Sequence, residues 1–506
     1  MGSFCPPTTI HSEIVTTFER NDTTGVLHPS GASEDEQYYE QLLAVAGYRD
    51  WPMKDNILPT LYRYQHPATA AGLRFIVYEL RGQYGILLKA RTDQDGAEEL
   101  RDYTAYLLTK SGADQPIRKV AFSSDALMLA YRFTSLFEER LLFDAFDLKG
   151  WKTAGRKLFM MKVAYYTNKR MMVDLALPAF PCKTTNSEKA ASTMPDGAEY
   201  EALTTLQSFI HDVEKIYKPG CCISIVSDGH VFADCQGTND ALVTKYNEAL
   251  KVMHAPIQKK DGCTAERGGI QFYNLDRLLF PDAQASLLWA RVPTLQPIRH
   301  PVDTKIEEHD DLCRTILVRT QAPPEEYLRD LIKTVPGHAI TALYRGFSRF
   351  MFEDLACSPD FKDATTSQRK RAAETVAFEM IQRNQSYSRL VEGLMPRYIR
   401  LSIHAHDNAG PKFAVRLMPF KPVSDSSGLV VTQEHAVAES HSHLHVPTPW
   451  HNSLVDVHDG DGEVETMVCK AKVVEDALKE GKFTGEYVKD HERGGRFVIT
   501  KVKEEE

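Results

Sequence analysis

The chain changes hydrophobic rhythm repeatedly after residue 170. "CCISIVSD" (221–228) is a short, continuous apolar run rich in β-branched residues, as in a strand buried within a sheet. Before it, "EYEALTTLQSFIHDVEKIY" places Leu203, Leu206, Ile210, Val213 and Tyr217 at helical spacing and stops at Pro219-Gly220, which predicts an amphipathic helix. A strand at 171–177 precedes that helix, and "DALVTKYNEALKVM" predicts another helix beyond the buried run. Further along, the pattern predicts a strand around "HAITALYRG", a long charged helix from about Thr366 to Glu392, and a strand in "RYIRLSIHAH". Strands alternating with helices predict an α/β fold, with a Rossmann-like mixed sheet, partly parallel, flanked by helices.

The flanks read differently. Residues 1–37 are polar and predict a loose tail. Within 38–135, "LRFIVYELRGQYGILLKARTD" predicts two strands joined at Gly82 and "EELRDYTAYLLTK" a helix, together an accessory α+β region. Helical segments from about Asp125 to Asn168 lead into the strand at 171–177, and a main domain is placed at 136–455. After a polar stretch, "ETMVCKAKVV" and "RFVITKV" predict a β-containing extension, 456–506, packed on that domain. A length of 506 residues suits several such units. No apolar stretch approaches the roughly 18 residues of a membrane helix, and the first residues lack a secretory pattern. The nine cysteines are scattered and odd in number, which suits reduced thiols. A net charge of −9 argues against a general nucleic-acid binder. The expectation is a cytoplasmic protein with neither membrane nor nucleic acid as partner.

Candidate chemistry sits where the predicted strands end. After "LALPAFP" the chain turns polar and basic at Cys182, Lys183, Thr184, Thr185, Asn186, Ser187 and Lys189. So many donors after a strand suggest an anion site. "SIVSDGHVFAD" carries a strand into Asp228 and His230, the usual ligand position of an open α/β sheet; the alternative is a hairpin turn at Asp-Gly. "YRGFSRFMFEDL" supplies Arg345, Ser348, Arg349 and Glu353, suited to carboxylate or phosphate, unless Arg349 and Glu353 are only an i,i+4 pair on a helix. In "RYIRLSIHAHDNAGPKFAVRLMPF", Ile399, Leu401 and Ile403 alternate with Arg400, Ser402, His404 and His406. A hairpin with a five-residue loop would set His406 opposite Lys412 and Ser402 opposite Arg416, all on one face with Lys183, Asp228 and Arg345.

His441, His443, His445 and His451 invite a metal reading, but no H-E-x-x-H or cysteine pair accompanies them, and the expectation is no metal. "GWKTAGRK" lacks the Lys-Ser/Thr ending of a phosphate-binding P-loop, and no G-x-G-x-x-G fingerprint occurs, so no nucleotide cofactor is expected.

Taken in order, "LPAFPCK…N…K…MPDGAE" (177–199), "YKPGCCISIVSDGHVFAD", "ND…V..Y", "YRGFSRFMFEDL", "PRYIRLSIHAH…KFAVRLMP" and "TPWHN" (448–452) resemble the pyoverdine/dityrosine biosynthesis family, the PvcA-like isocyanide synthases. "KTTN" departs from the more usual Lys-Ser-Pro-Asn but keeps the basic residue. The resemblance implies that the α-amine of an L-amino acid, L-tyrosine foremost, becomes an isocyanide whose carbon comes from ribulose 5-phosphate, without metal or redox cofactor. It implies condensation of the amine with the C2 ketone, proton shifts, loss of phosphate and carbon–carbon cleavage. The partners are then these two small molecules and a separate tailoring enzyme downstream. From residue chemistry, Lys183, Asp228, His230, Glu353 and His404 are the acid/base candidates. Lys189, Ser187, Arg345, Ser348, Arg349, Arg400, Ser402, His406, Lys412, Trp450 and His451 are the binding candidates. A metal-dependent oxygenase built on the histidines, or a scaffold without catalysis, remain the other readings.

Overall fold

The computed structural model describes residues 122–143, 149–260, 268–275, 325–358, 361–394, 398–403, 408–410, 412–418, 448–459 and 462–502, single residues from 306 to 322 and at 429, and the backbone of five strands before residue 91. Those strands are β1 (Ser12–Arg20), β2 (Leu27–Pro29), β3 (Thr60–Tyr64), β4 (Leu73–Leu80) and β5 (Gln83–Ala90), in the order β2-β1-β3-β4-β5. All pairs are antiparallel, and β4 and β5 form the hairpin expected at Gly82, Leu80 lying opposite Gln83. The segment read as a loose tail thus contributes two strands. The helix expected at "EELRDYTAYLLTK" lies outside the described residues.

Two helices follow, α1 (Ser124–Arg140) and α2 (Arg156–Lys169). Ser123 caps the first through its hydroxyl, which accepts from the Ala126 N–H. Their inner faces and the turn between them bring Phe133, Phe137, Trp151 and Phe159 into one aromatic cluster, Phe137 and Phe159 stacked at 4.3 Å.

The central sheet holds β6 (Val173–Pro178), β7 (Cys221–Ser227), β8 (Gly269–Asn274), β9 (Ile399–Ser402) and β10 (Lys412–Ala414), in the order β10-β9-β6-β7-β8. Every ladder between these strands is parallel and helices flank the sheet, in keeping with the expected α/β class. Between β6 and β7 runs α3 (Gly197–Ile216), opened by the capping box in "MPDGAE": Asp196 accepts from the Ala198 N–H and Glu199 from the Asp196 N–H. Between β7 and β8 runs α4 (Asp240–Lys260).

The hairpin expected at 399–418 is corrected. Lys412 lies beside Arg400, Phe413 beside Leu401 and Ala414 beside Ser402, in parallel. Alternation tells which residues share a face but is blind to strand direction. Asn408, in the left-handed region at φ 54°, holds the connection: its side chain accepts from the Ala414 N–H and donates to the Phe143 carbonyl.

The segment read as a strand at "HAITALYRG" is helical. After α5 (Glu325–Thr334), His338 caps α6 (Ala339–Cys357), which packs against α7 (Thr366–Leu394). Ile340, Phe347, Met351 and Leu355 recur at seven- and four-residue intervals and meet Val376, Ala377 and Ile381. That period, rather than the β-branched run at its start, decides the element. The chain closes with β11 (Ser453–His458), β12 (Val464–Cys469), α8 (Ala471–Lys479), β13 (Phe483–Val488) and β14 (Arg496–Lys501), strand order β12-β11-β14-β13. "KAKVV", read as β, begins α8 instead.

Candidate functional site

Register divides the central sheet into two unlike faces. Leu175, Leu177, Ile223, Ile225, Ile399, Leu401 and Phe413 point into the core under the helices. The other face carries Asp174, Ala176, Pro178, Cys222, Ser224, Val226, Gly269, Gln271, Tyr273, Arg400, Ser402, Lys412 and Ala414, most of them polar. Parallel sheets usually bury apolar residues on both sides. A largely polar second face departs from that pattern.

Strand order reverses at β6, which is flanked by β7 on one side and β9 on the other. In open α/β sheets, ligands enter outside the carboxyl ends at such a reversal. Asp228 follows β7 there, and the parallel pairing of β7 on both edges excludes the hairpin alternative. The turn is tight: a Cβ on Gly229 would lie 1.9 Å from the Pro181 carbonyl oxygen. Burial pushes the Asp228 carboxyl up to about 7, with Arg400 pulling the other way. Arg400 is buried and donates to the Leu401 carbonyl at 2.8 Å, and Ser402 is buried on the same face. Burial, with the neighbouring Arg400, pushes Lys412 down to about 8. From α7, the Tyr387 hydroxyl donates to the Val226 carbonyl at 2.7 Å, and its charged neighbours are Asp228 and Arg400. A half-buried carboxyl pushed up to about 7, beside the buried Arg400, can both give and take protons.

The basic loop 182–189 has a different task. Lys183 is fully buried, 2.7 Å from Glu199 and 2.9 Å from Asp196, and donates to the Pro449 carbonyl at 2.8 Å. Burial works against its charge, yet the two carboxylates hold it above the usual lysine range. The Tyr246 hydroxyl completes the node by donating to Glu199. Lys189 pairs with Asp354 at 2.7 Å and lies over the Phe350 ring, while the Asn186 amide donates to Asp354. Ser187 is exposed. The expectation that Lys183, Lys189 and Ser187 hold an anion is corrected: the donors tie the exit of β6 to α3 and α6, because a buried lysine must be paired. The start of α8 adds to the clamp, with Ala471 and Lys472 N–H groups donating to the Lys189 and Glu188 carbonyls.

The remaining candidates divide similarly. Arg345 and Arg349 are exposed on α6, and Arg349 pairs with Glu353 at i,i+4. Although burial opposes it, Lys189, Lys470 and Arg349 hold the Glu353 carboxyl below the usual range, so Glu353 joins the clamp and not the polar face. Ser348 is half-buried on the same helix. His230 turns toward α4, its ring 3.1 Å from the Thr244 hydroxyl. Trp450 is core, packed on Phe180, and His451 meets Thr448 and the Phe350 ring. Arg416 donates to the Glu139 and Arg140 carbonyls at the end of α1, away from Ser402. His404, His406, His441, His443 and His445 lie outside the described residues. The polar face thus gathers Asp228, Arg400, Ser402 and Lys412 from the predicted set.

Sequence reasoning missed Tyr387 and the buried ion network beside it. Arg383, one turn before Tyr387, pairs bidentately with Asp234, and Arg314 reaches both Asp234 and Asp240. The clue was the helical interval Val376-Met380-Arg383-Tyr387, which puts an arginine on the inward stripe. Among the described residues no group of His, Cys, Asp and Glu is arranged to hold a metal ion, and no helix is long and apolar enough to cross a membrane.

A parallel sheet whose strand order reverses at β6, flanked by helices, defines an α/β protein of the doubly wound kind. The sequence profile of the family described as "Pyoverdine/dityrosine biosynthesis protein" matches residues 163–481, and the chain belongs to that family. It is 37% identical over 355 residues to the spore wall maturation protein DIT1 of Saccharomyces cerevisiae, covering 70% of this chain and 64% of that protein's length. It is 30% identical over 259 residues to an L-tyrosine isonitrile synthase of Pseudomonas aeruginosa, covering 51% of this chain and 68% of the relative. The crystal structure of the PvcA protein from Pseudomonas aeruginosa superposes with a TM-score of 0.53 at 24% identity, over 73% of this chain and 99% of that one, and shares its fold.

Proposed function

We propose that the chain is an isocyanide synthase, turning the α-amine of an L-amino acid, L-tyrosine foremost, into an isocyanide with ribulose 5-phosphate as carbon donor. The observation that carries this reading is the polar sheet face at the strand reversal, where Asp228 titrates near neutrality beside Arg400. Imine formation and the later proton shifts need one group able to serve as acid and base at working pH, and Asp228 fits that need. The cations fit the charge of a sugar phosphate and an amino-acid carboxylate. Tyrosine is favoured by the name of the Pseudomonas relative, and the yeast relative's name fits a product destined for a cell wall. The reading needs no metal or nucleotide, acts in the cytoplasm and hands its product to a separate tailoring enzyme. Incubating purified protein with L-tyrosine and ribulose 5-phosphate and searching by mass spectrometry for the isocyanide tests it. No product with any proteinogenic amino acid would defeat it.

A further inference from the structure

The turn that carries Asp228 is held by side chains from outside it. After β7 the chain makes a single turn of helix, Gly229–Phe232, and then a tighter one, Ala233–Gln236. So short a helix cannot pair its own last carbonyls. Side chains from two distant segments take them. Arg314 donates to the His230 carbonyl at 2.7 Å, and Arg383 of α7 donates to the Val231 carbonyl. One helical turn on, the Tyr387 hydroxyl donates to the Val226 carbonyl, two residues before Asp228. Arg383 also grips both oxygens of Asp234, and Arg314 reaches Asp234 and Asp240. From the β6 side, the Ser227 hydroxyl donates to the Phe180 carbonyl. Arg314, Arg383 and Asp234 are fully buried, and Tyr387 nearly so. Two arginines drawn out of water are a costly way to satisfy carbonyls. Buried ion pairs add little net stability over apolar packing, and their best-attested use is to fix one arrangement among several. The arrangement fixed here is the turn on which Asp228 stands.

We infer that Tyr387, Arg383 and Arg314 are positioning residues that lock the 226–234 turn and so hold the Asp228 carboxyl at the end of β7. The inference rests on the proposed function for Asp228 as the acid/base group, while the lock itself is independent of the reaction. The arginines act through the backbone, their charge being turned to Asp234 and Asp240. The groups that face Asp228 are Arg400 from β9, which also acts on Lys412 of β10, and Tyr387 from α7. His230, on the same turn, is directed to Thr244 of α4. Burial is the larger cause of the raised Asp228 carboxyl, ahead of the opposing pull of Arg400. Loosening the turn therefore has a readable sign, because a carboxyl given more water drops toward the ordinary carboxylate range.

The test follows urea unfolding of the full chain from pH 4 to pH 9, with and without Asp228→Asn, so that the difference reports Asp228. A carboxyl raised to about 7 stabilises while protonated, so the wild type should lose stability relative to Asp228→Asn as pH rises and level off past about 7. With Tyr387→Phe or Arg383→Lys added to both chains, the levelling point should move down by about one pH unit or more. With Val474→Ala, a change in the buried core of the C-terminal sheet, stability should fall but the levelling point should stay where it is in the wild type. An unmoved levelling point in Tyr387→Phe, or an equal drop in Val474→Ala, would overturn the inference. If Arg383→Lys does not fold, Tyr387→Phe decides, since it keeps the ring and loses one hydrogen bond. In a working synthase the same two variants should lower kcat about tenfold to a hundredfold with KM unchanged, and an unchanged kcat would overturn the positioning role. The titration needs no turnover, so a shifted levelling point in a chain that forms no isocyanide upholds the lock and fails the synthase reading.

Discussion

Replacing Lys183 by methionine distinguishes a structural node from a phosphate ligand. The side chain is buried within 2.9 Å of both Asp196 and Glu199. Methionine fills a similar volume but leaves two carboxyls in the core with no cation. Breaking a buried pair by removing one partner costs about 3–5 kcal/mol. Burial already pushes Asp196 up to about 8, so it can take up a proton and relieve part of the cost. The lower end, about 3 kcal/mol, is then expected near neutrality. The sign with pH follows from the raised carboxyl: its contribution is intact at low pH and lost as pH rises through 8. Urea unfolding of wild type and Lys183→Met at pH 6 and pH 8.5 should therefore show a deficit that grows with pH. Adding Glu199→Gln should recover much of it, since the node then holds one ionisable carboxyl fewer. A variant that unfolds within about 1 kcal/mol of wild type, while its KM for ribulose 5-phosphate rises tenfold or more, would refute the reasoning and return Lys183 to the phosphate.

Asp228→Asn should lower kcat about 10²- to 10⁴-fold, the usual worth of a general acid or base. It should not lower stability, and at pH 8 it should raise it, because a carboxyl raised to about 7 weakens the fold as pH climbs past that value; unchanged kcat would remove Asp228 from the chemistry. Gly229→Ala should destabilise by about 1–3 kcal/mol, because its Cβ meets the Pro181 carbonyl at 1.9 Å; an unfolding curve matching wild type would show that the turn has room. Trp450→Ala should cost about 3–5 kcal/mol with KM for both substrates unchanged below the transition, whereas a rise in KM at full stability would make Trp450 a substrate contact.

Much of the fold was legible because hydrophobic period is a local property. The run "CCISIVS" and the stripe Leu203-Leu206-Ile210-Val213 became β7 and α3 at nearly the expected bounds. The failures came where one pattern serves two arrangements. Arg400 and Ser402 face one way whether β10 runs parallel or antiparallel; the ladder itself, Lys412 beside Arg400 and Ala414 beside Ser402, shows the direction, and Asn408 anchors the connection through Ala414 and Phe143. "HAITALYRG" begins with β-favouring residues, yet the interval from Ile340 to Leu355 is helical. At the site, residue type misled most. Lys183 and Lys189 looked like anion ligands because the sequence does not display the acids that partner them, Glu199 sixteen positions on and Asp354 on another helix. Asp228 was legible because its place depends only on a strand ending. Tyr387 was not, because its part comes from one hydroxyl meeting a carbonyl 161 positions away.

Supplying ribulose 5-phosphate labelled with carbon-13 at C2, together with unlabelled L-tyrosine, tests the central claim most directly. The account predicts an isocyanide product carrying the label on the isocyanide carbon, formed by wild type and nearly absent with Asp228→Asn. An isocyanide without the label, or labelled product made equally well by Asp228→Asn, would contradict it.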